Sequence, residues 1–332
     1  MKANKIIFLI MAAGFGLVLT AFASFAFGSR MVGIGEVIAA LFGNGTDSFE
    51  SLVVRERIPR TVFSMIAGAS LGVSGALMQA ITRNPIADPS ILGVNTGASL
   101  FVVSGIAFFH ISTASQYIWF AMAGAGVTAV VVYRIGSLGY GGATPIKLAL
   151  AGASISAALS SLVSAVILPR SDVLDAYRFW QVGSVSGATW TGIFSVLPFM
   201  VVGLGLGILS SSSLDALALG DDVATGQGVN TSLVRIVSAV AGVLLCGATT
   251  ALAGPIGFVG LMIPHTMRLL CGSNMRSIIP MSAVGGAILL TVSDIIGRLI
   301  GHPGELEAGI VTAFFGAPVL IWIAMRVKVR SL

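Results

Sequence analysis

The sequence predicts an all-α, polytopic membrane protein of about ten transmembrane helices containing an inverted repeat. Three observations predict it. Apolar residues make up 56% of the chain and charged ones 9%, whereas a soluble domain carries about 25% charge. Mean hydropathy is +0.99, and the charges fall between apolar runs of bilayer-crossing length. Two proline turns, Asn84-Pro85-Ile86-Ala87 and Gly254-Pro255-Ile256-Gly257, lie five crossings apart. They therefore fall on opposite membrane faces, as an inverted-topology repeat places them.

The first run, 6–27, follows Lys2 and Lys5. It exceeds the about 7–15 apolar residues of a signal peptide, so it reads as a retained helix with its N-terminus inside. An outward loop, 28–60, mixes Glu36, Asp47, Glu50 and Glu56 with Arg30, Arg55, Arg57 and Arg60. The second run, 61–82, has no charge, and about twenty residues at ~1.5 Å each span the ~30 Å hydrocarbon core. Further runs are 93–109, 117–135, 148–168, 193–209, 233–252, 257–270, 278–300 and 309–325. The eighth, 257–270, covers only ~21 Å of helix and needs protein around it.

Charge supports this order, because cytoplasmic loops carry the excess of Lys and Arg. With the N-terminus inside, eleven of the eighteen Lys and Arg residues fall inside: Lys2, Lys5, Arg83, Arg134, Lys147, Arg235, Arg268, Arg276, Arg326, Lys328 and Arg330. The C-terminus then returns to the cytoplasm. The pI near 9.6 does not point to nucleic acid, since the basic residues form no continuous face.

The second run is rich in small residues. Gly68 and Gly72, four apart, let another helix approach closely, and such a stripe serves plain helix packing. Its flanks are more specific. Arg57-Ile58-Pro59-Arg60 opens the helix, and Asn84-Pro85-Ile86-Ala87-Asp88-Pro89-Ser90-Ile91-Leu92-Gly93-Val94 follows it. With Gly254 to Leu261 and Ile263-Pro264-His265, this pattern resembles the permease subunits of the iron-siderophore, haem and cobalamin family of ABC importers. The resemblance spans the chain from Arg57 to Trp322.

It implies a single permease domain that pairs with a second permease copy or a close relative, two ATPase subunits and an extracytoplasmic substrate-binding protein. ATP and Mg²⁺ belong to the ATPase. No Walker lysine exists here, because Lys2, Lys5, Lys147 and Lys328 all lack a preceding glycine. A ferric siderophore is the first expected cargo, with haem or cobalamin as alternatives. The chain itself is expected to be no enzyme, to bind no cofactor and to hold no metal: Cys246, Cys271, His110, His265 and His302 show no ligand spacing.

The loop 210–232 reads as a cytoplasmic knob. Ser213 can cap a short helix through Ala218, Gly220 breaks it, and Asp221 can cap a second that Gly226 or Gly228 ends. Asp215, Asp221 and Asp222 speak against a lipid-surface helix, which favours Lys and Arg. The knob resembles the coupling helices that dock into the ATPase, and on that resemblance Leu217, Leu219, Gly220, Asp221, Asp222, Ala224 and Gly228 carry coupling.

By the same resemblance, Arg57, Arg60 and Arg298 meet acids on the binding protein. Asp294, four residues before Arg298, makes a structural pair an equal alternative. The fifth run carries Ala153, Ser154, Ser156, Ala157, Ser160, Ser161 and Ser164. Small hydroxyl residues there suit close packing or a watery path. The resemblance makes this helix the path lining, with Ser154 and Ser161 on it and Thr144 as the gate. Segment 179–190, with its two tryptophans, suits a short interfacial helix. A rival from another class is an ion-coupled secondary transporter, which wants an ionisable residue near the midplane. Only Asp294 approaches that place.

Overall fold

The computed structural model, which describes residues 3–42, 48–139, 144–301 and 304–326, is helical, with no strand among the described residues. Lys2, Asp47, Ala143, His302, Lys328 and Arg330 lie outside them. In order the helices are α1 (Ala3–Ala26), α2 (Ile34–Phe42), α3 (Phe49–Thr82), α4 (Val94–Phe109), α5 (Ala114–Gly136), α6 (Pro145–Ile167) and α7 (Ser171–Gln181). Then come α8 (Trp190–Ala218), α9 (Asp221–Gly226), α10 (Thr231–Ala253), α11 (Val259–Cys271), α12 (Met275–Ile300) and α13 (Ala308–Arg326). Six of them (α3, α5, α6, α8, α10 and α12) are long and apolar enough to cross a membrane; shorter apolar helices run Met11–Ala26, Val94–Phe109, Val259–Cys271 and Ala308–Ile321.

Three local readings are corrected. The loop 28–60 is largely helical: it holds α2 and the first turns of α3, where the Ser48 side chain accepts from Ser51 N, a standard N-cap. At 34 residues, α3 is about 51 Å long, so its first turns stand beyond a ~30 Å core. Second, α8 does not stop before Ser213. Ser210 Oγ donates back to Leu206 O at 2.7 Å, a bond that lets serine sit inside a helix, and α8 carries on to Ala218. Third, the short helix expected over 179–190 is α7, displaced towards the N-terminus.

α3 is the axis of the bundle. Of its most apolar stretch 78% is buried, against 17% for α6. Its glycines permit backbone-to-backbone contact: a Cβ at Gly68 would stand 2.2 Å from Gly286 O on α12, and one at Gly75 would stand 1.9 Å from Gly260 O on α11. Hydroxyls add bonds of their own, Ser64 Oγ with Thr291 Oγ1 of α12 at 2.9 Å and Ser74 Oγ donating to Gly242 O of α10 at 2.7 Å. Lipid offers no hydrophobic drive between helices, so such close packing and interhelical bonds hold them.

The packing follows the inverted repeat. α3 packs on α11 and α12, while α10 packs on α4 and α5; α4 adjoins α5 and α6 as α11 adjoins α12 and α13. Each proline turn precedes a short helix, α4 of 16 residues and α11 of 13. Asp88 starts the first turn, its Oδ1 accepting from Ser90 N at 2.9 Å, and a single 3-10 turn, Pro89–Leu92, leads through Gly93 into α4. Asn95, one residue into α4, accepts from Thr250 near the far end of α10 at 2.9 Å, so α4 begins well inside the bundle. Ala87, Pro89 and Ile256 are buried, which is the condition under which irregular backbone survives at membrane depth.

The Gly75 contact generates a direct test. Gly75→Ala forces α3 from α11 and costs about 1–3 kcal/mol, read as a lower thermal midpoint of the purified protein. Gly205→Ala, where a Cβ meets nothing within 4 Å, leaves the midpoint unchanged or raises it, since alanine is better in a helix by up to about 1 kcal/mol. Equal midpoints for Gly75→Ala and the wild type would contradict the packing described.

Candidate functional site

The predicted residues gather at two ends of the bundle and along one helix between them. At one end, α8 turns through Leu219 and Gly220 into α9. Gly220 has φ +120°, a conformation that side-chain-bearing residues avoid, and nothing lies where its Cβ would be. The seven predicted coupling residues divide into two sets. Leu217 and Ala224 point inward and are 0% exposed. Leu219, Asp221, Asp222 and Gly228 are exposed and Gly220 is half-buried. Val223, not anticipated, adds an exposed apolar side chain beside Leu219.

Asp221 fastens this knob to the bundle. It pairs with Arg83, the αL cap of α3, and with Arg235 of α10 at 2.9 Å. Arg83 also donates to Leu217 O at 2.7 Å. Asp215 on α8 accepts from Met275 N at 2.7 Å, satisfying one of the free N–H groups at the start of α12. The knob thus touches α3, α10 and, through α8, α12. Sequence reasoning missed Arg83, Arg235 and Asp215 as partners; their only signal was charge at helix ends.

At the opposite end of α3 lies the arginine cluster. Arg60 donates to Asp294 from Nε at 3.0 Å and from Nη2 at 2.7 Å, and to Glu305 from Nη1 at 2.7 Å. Arg298 reaches the other Asp294 oxygen at 3.1 Å and donates to Ser24 O and Ser24 Oγ at 3.0 and 2.8 Å. Arg57 donates to Phe25 O at 2.7 Å and Arg30 O at 2.6 Å. The Asp294–Arg298 pair is the structural alternative to docking that the i, i+4 spacing offered, and in this conformation two of the three arginines are covered. Arg57 and Arg298 are 8% and 1% exposed, because the carboxyl end of α1 folds over them and offers its carbonyls. Asp294 is also 1% exposed, so the cluster is a buried charge network, in which removing one partner strands another.

Between the ends runs α6. Ser154 and Ser161 are exposed, with Ala153, Ala157, Ala158 and Ser160 around them. Ser161 Oγ bonds back to Ala157 O at 3.0 Å, so the face carries hydroxyls without needing a protein partner. Thr144 is the N-cap of α6, its Oγ1 accepting from Lys147 N at 3.4 Å, ahead of Pro145 at the first helical position. No group of three or more metal-ligating side chains occurs among the described residues.

Residues 16–326 match the model of the FecCD transport family. The chain is 44% identical over 280 residues to the Fe(3+)-citrate import system permease protein YfmD of Bacillus subtilis (strain 168), covering 84% of this chain and 83% of that one. It is 40% identical over 310 residues to the ferric enterobactin transport system permease protein FepD of Escherichia coli (strain K12), covering 93% and 92%. Among solved structures it is similar to an inward-facing metal-chelate type ABC transporter, with a TM-score of 0.82 and 26% identity over 97% of this chain and 100% of that one. A family match across nearly the whole chain, supported by two relatives at 40% identity or more and by this architecture, makes it an integral membrane protein that belongs to the FecCD transport family.

Proposed function

We propose that this chain is the permease subunit of an ATP-driven importer that carries a ferric complex, a ferric siderophore in the first instance, with haem or cobalamin as alternative cargo. The observation that carries the reading is the exposed knob of α8 and α9, bolted by Asp221 to α3 and α10, in a chain of this family. Relatives named for ferric citrate and ferric enterobactin support iron. In this reading the knob end and both termini are cytoplasmic. Two permeases, two ATPase subunits and an extracytoplasmic binding protein make up the importer, and ATP and Mg²⁺ sit on the ATPase. The chain does no covalent chemistry.

Mechanically, Leu219, Asp222 and Val223 meet the ATPase, while Leu217 and Ala224 lock the knob inward. A push on α9 reaches α3 through Asp221 and Arg83. α6, the least enclosed of the long helices, moves most easily, and its Ser154 and Ser161 face lines the path behind the Thr144 gate. Binding-protein acids meet the arginine end. Arg60 is the nearest of the three to the surface there, and engagement of Arg57 and Arg298 requires the end of α1 to yield. The rival ion-coupled mechanism finds little support, since Asp294, its candidate carboxylate, is held by two arginines.

Uptake in cells whose partner ATPase has lost its Walker lysine should fall to background with the proton gradient intact; continued uptake would refute the ATP-driven reading. Leu219→Asp with Val223→Asp should abolish co-purification of the ATPase and leave the permease folded, since both side chains are exposed; retained co-purification would move the coupling surface elsewhere. In protein whose thermal midpoint shows that the Asp294 network has survived, reversing charge at Arg57 and Arg60 together should slow binding-protein association, more so at low salt. An association rate unchanged across ionic strengths would remove them from the docking site.

A further inference from the structure

The two seams that the repeat makes equivalent are closed differently. At the arginine end, α3 and α12 meet beneath the Arg60–Asp294 pair, and α1 covers the seam through Ser24, which bonds Thr61 at 2.7 Å and Arg298. The counterpart seam lies between α10 and α5 at the knob end. There the chain puts two cations, Arg235 near the start of α10 and Arg134 near the end of α5. Arg235 is bound to Asp221. Arg134 is exposed, and no hydrogen bond or ion pair of its side chain occurs among the described residues. Among the described residues no helix covers this seam as α1 covers the other: α8 packs along α10 and meets α5 at the far end, where Trp119 and Phe199 stack edge-on at 6.1 Å.

What remains is an open groove of ≈340 Å³ that ends at Arg134, within the about 300–1,000 Å³ of small-ligand sites. Its floor is small, formed by Gly126, Ala129 and Ala239, and Val130, Ile236 and Val240 form its walls. Those three walls are 60%, 40% and 45% exposed. From Arg134 to Gly126 is eight residues, about 12 Å along the helix, which fits inside one leaflet of a ~30 Å core. An apolar channel of one leaflet's depth, closed at its membrane-surface end by an unpaired guanidinium, has the chemistry of one lipid molecule.

We propose that the α5–α10 groove binds an anionic phospholipid, one acyl chain lying over Gly126 and Ala239 and the phosphate on Arg134. The lipid then stands where α1 stands in the other half of the repeat, and it supplies the anion that Asp294 supplies there. The inference rests on the membrane-spanning fold alone and is independent of the cargo.

Native mass spectrometry of the full chain in mild detergent, titrated with phosphatidylglycerol or phosphatidylcholine of the same acyl chains, tests it. The wild type should hold phosphatidylglycerol more tightly. Arg134→Gln should weaken phosphatidylglycerol by about fivefold, the effect of one basic residue at an anionic surface, and leave phosphatidylcholine unchanged; Arg134→Lys should keep the preference. Gly126→Leu, at a position where a Cβ meets nothing within 4 Å, should fill the groove and weaken both lipids by about tenfold at an unchanged or raised thermal midpoint. Wild type blind to headgroup, or Gly126→Leu binding both lipids normally, would overturn the proposal. So would a disulfide dimer formed by Val240→Cys, which would put a second copy in the groove.

Discussion

The contact on which the rest depends is the meeting of bare backbone along α3. Gly68 against Gly286 and Gly75 against Gly260 bring α12 and α11 to distances that any side chain would forbid. In hydrocarbon, helices gain nothing by hiding apolar surface from one another, so the approach must be close and the few hydroxyls must pair. α3 meets the first condition along its buried length and the second at Ser64 and Ser74, while Ser70 Oγ is buried with no hydrogen-bond partner among the described residues. Its long neighbours are placed by that contact, and the irregular turns at Asp88 and Gly254 are tolerated because the same crowding surrounds them with protein.

A rigid axis gives the two ends of the molecule a mechanical connection. The carboxyl end of α3 is capped by Arg83, which grips the knob at Asp221; its opposite end carries Arg57 and Arg60, which grip α1, Asp294 and Glu305. Charges that look like surface patches in the sequence are instead shared fastenings. At the arginine end, α1 lies over Arg57 and Arg298, so a partner that wants those guanidinium groups must displace carbonyls already bonded to them. α6 contrasts with α3: its exposed surface mixes serine and alanine with Ile146, Leu150 and Leu162, and little of it is enclosed.

Much of this was legible in the residues. Apolar runs fall on helices, six of them long and apolar enough to cross a membrane and four shorter, and the echo between Asn84-Pro85-Ile86-Ala87 and Gly254-Pro255-Ile256-Gly257 announced the repeat, which the packing of α3 on α11 and α10 on α4 then displays. Gly220 marked the break that precedes α9. What escaped did so for physical reasons. Ser210 bonds back into its own helix, so the serine run gave a false stop. Charged residues from Glu50 to Arg57 hid the solvent-side turns of α3, whose helix signal is the Ser48 cap. The inward aim of Arg57 and Arg298 depends on carbonyls 32 and 274 positions away in sequence, which no local pattern reports. The open α5–α10 groove follows from where α8 packs, a tertiary fact.

The central claim is that a push on the knob is carried by a stiff α3 and relieved by a yielding α6. Its most direct test is alkylation of Ser154→Cys and Ser161→Cys by a membrane-impermeant reagent in sealed vesicles holding the whole importer, with the ATPase empty or trapped with ATP. Native Cys246 and Cys271 are buried and give a low background. The account predicts that the reactive side of the membrane switches with nucleotide. Reactivity from the same side in both states, or none from either, would contradict it.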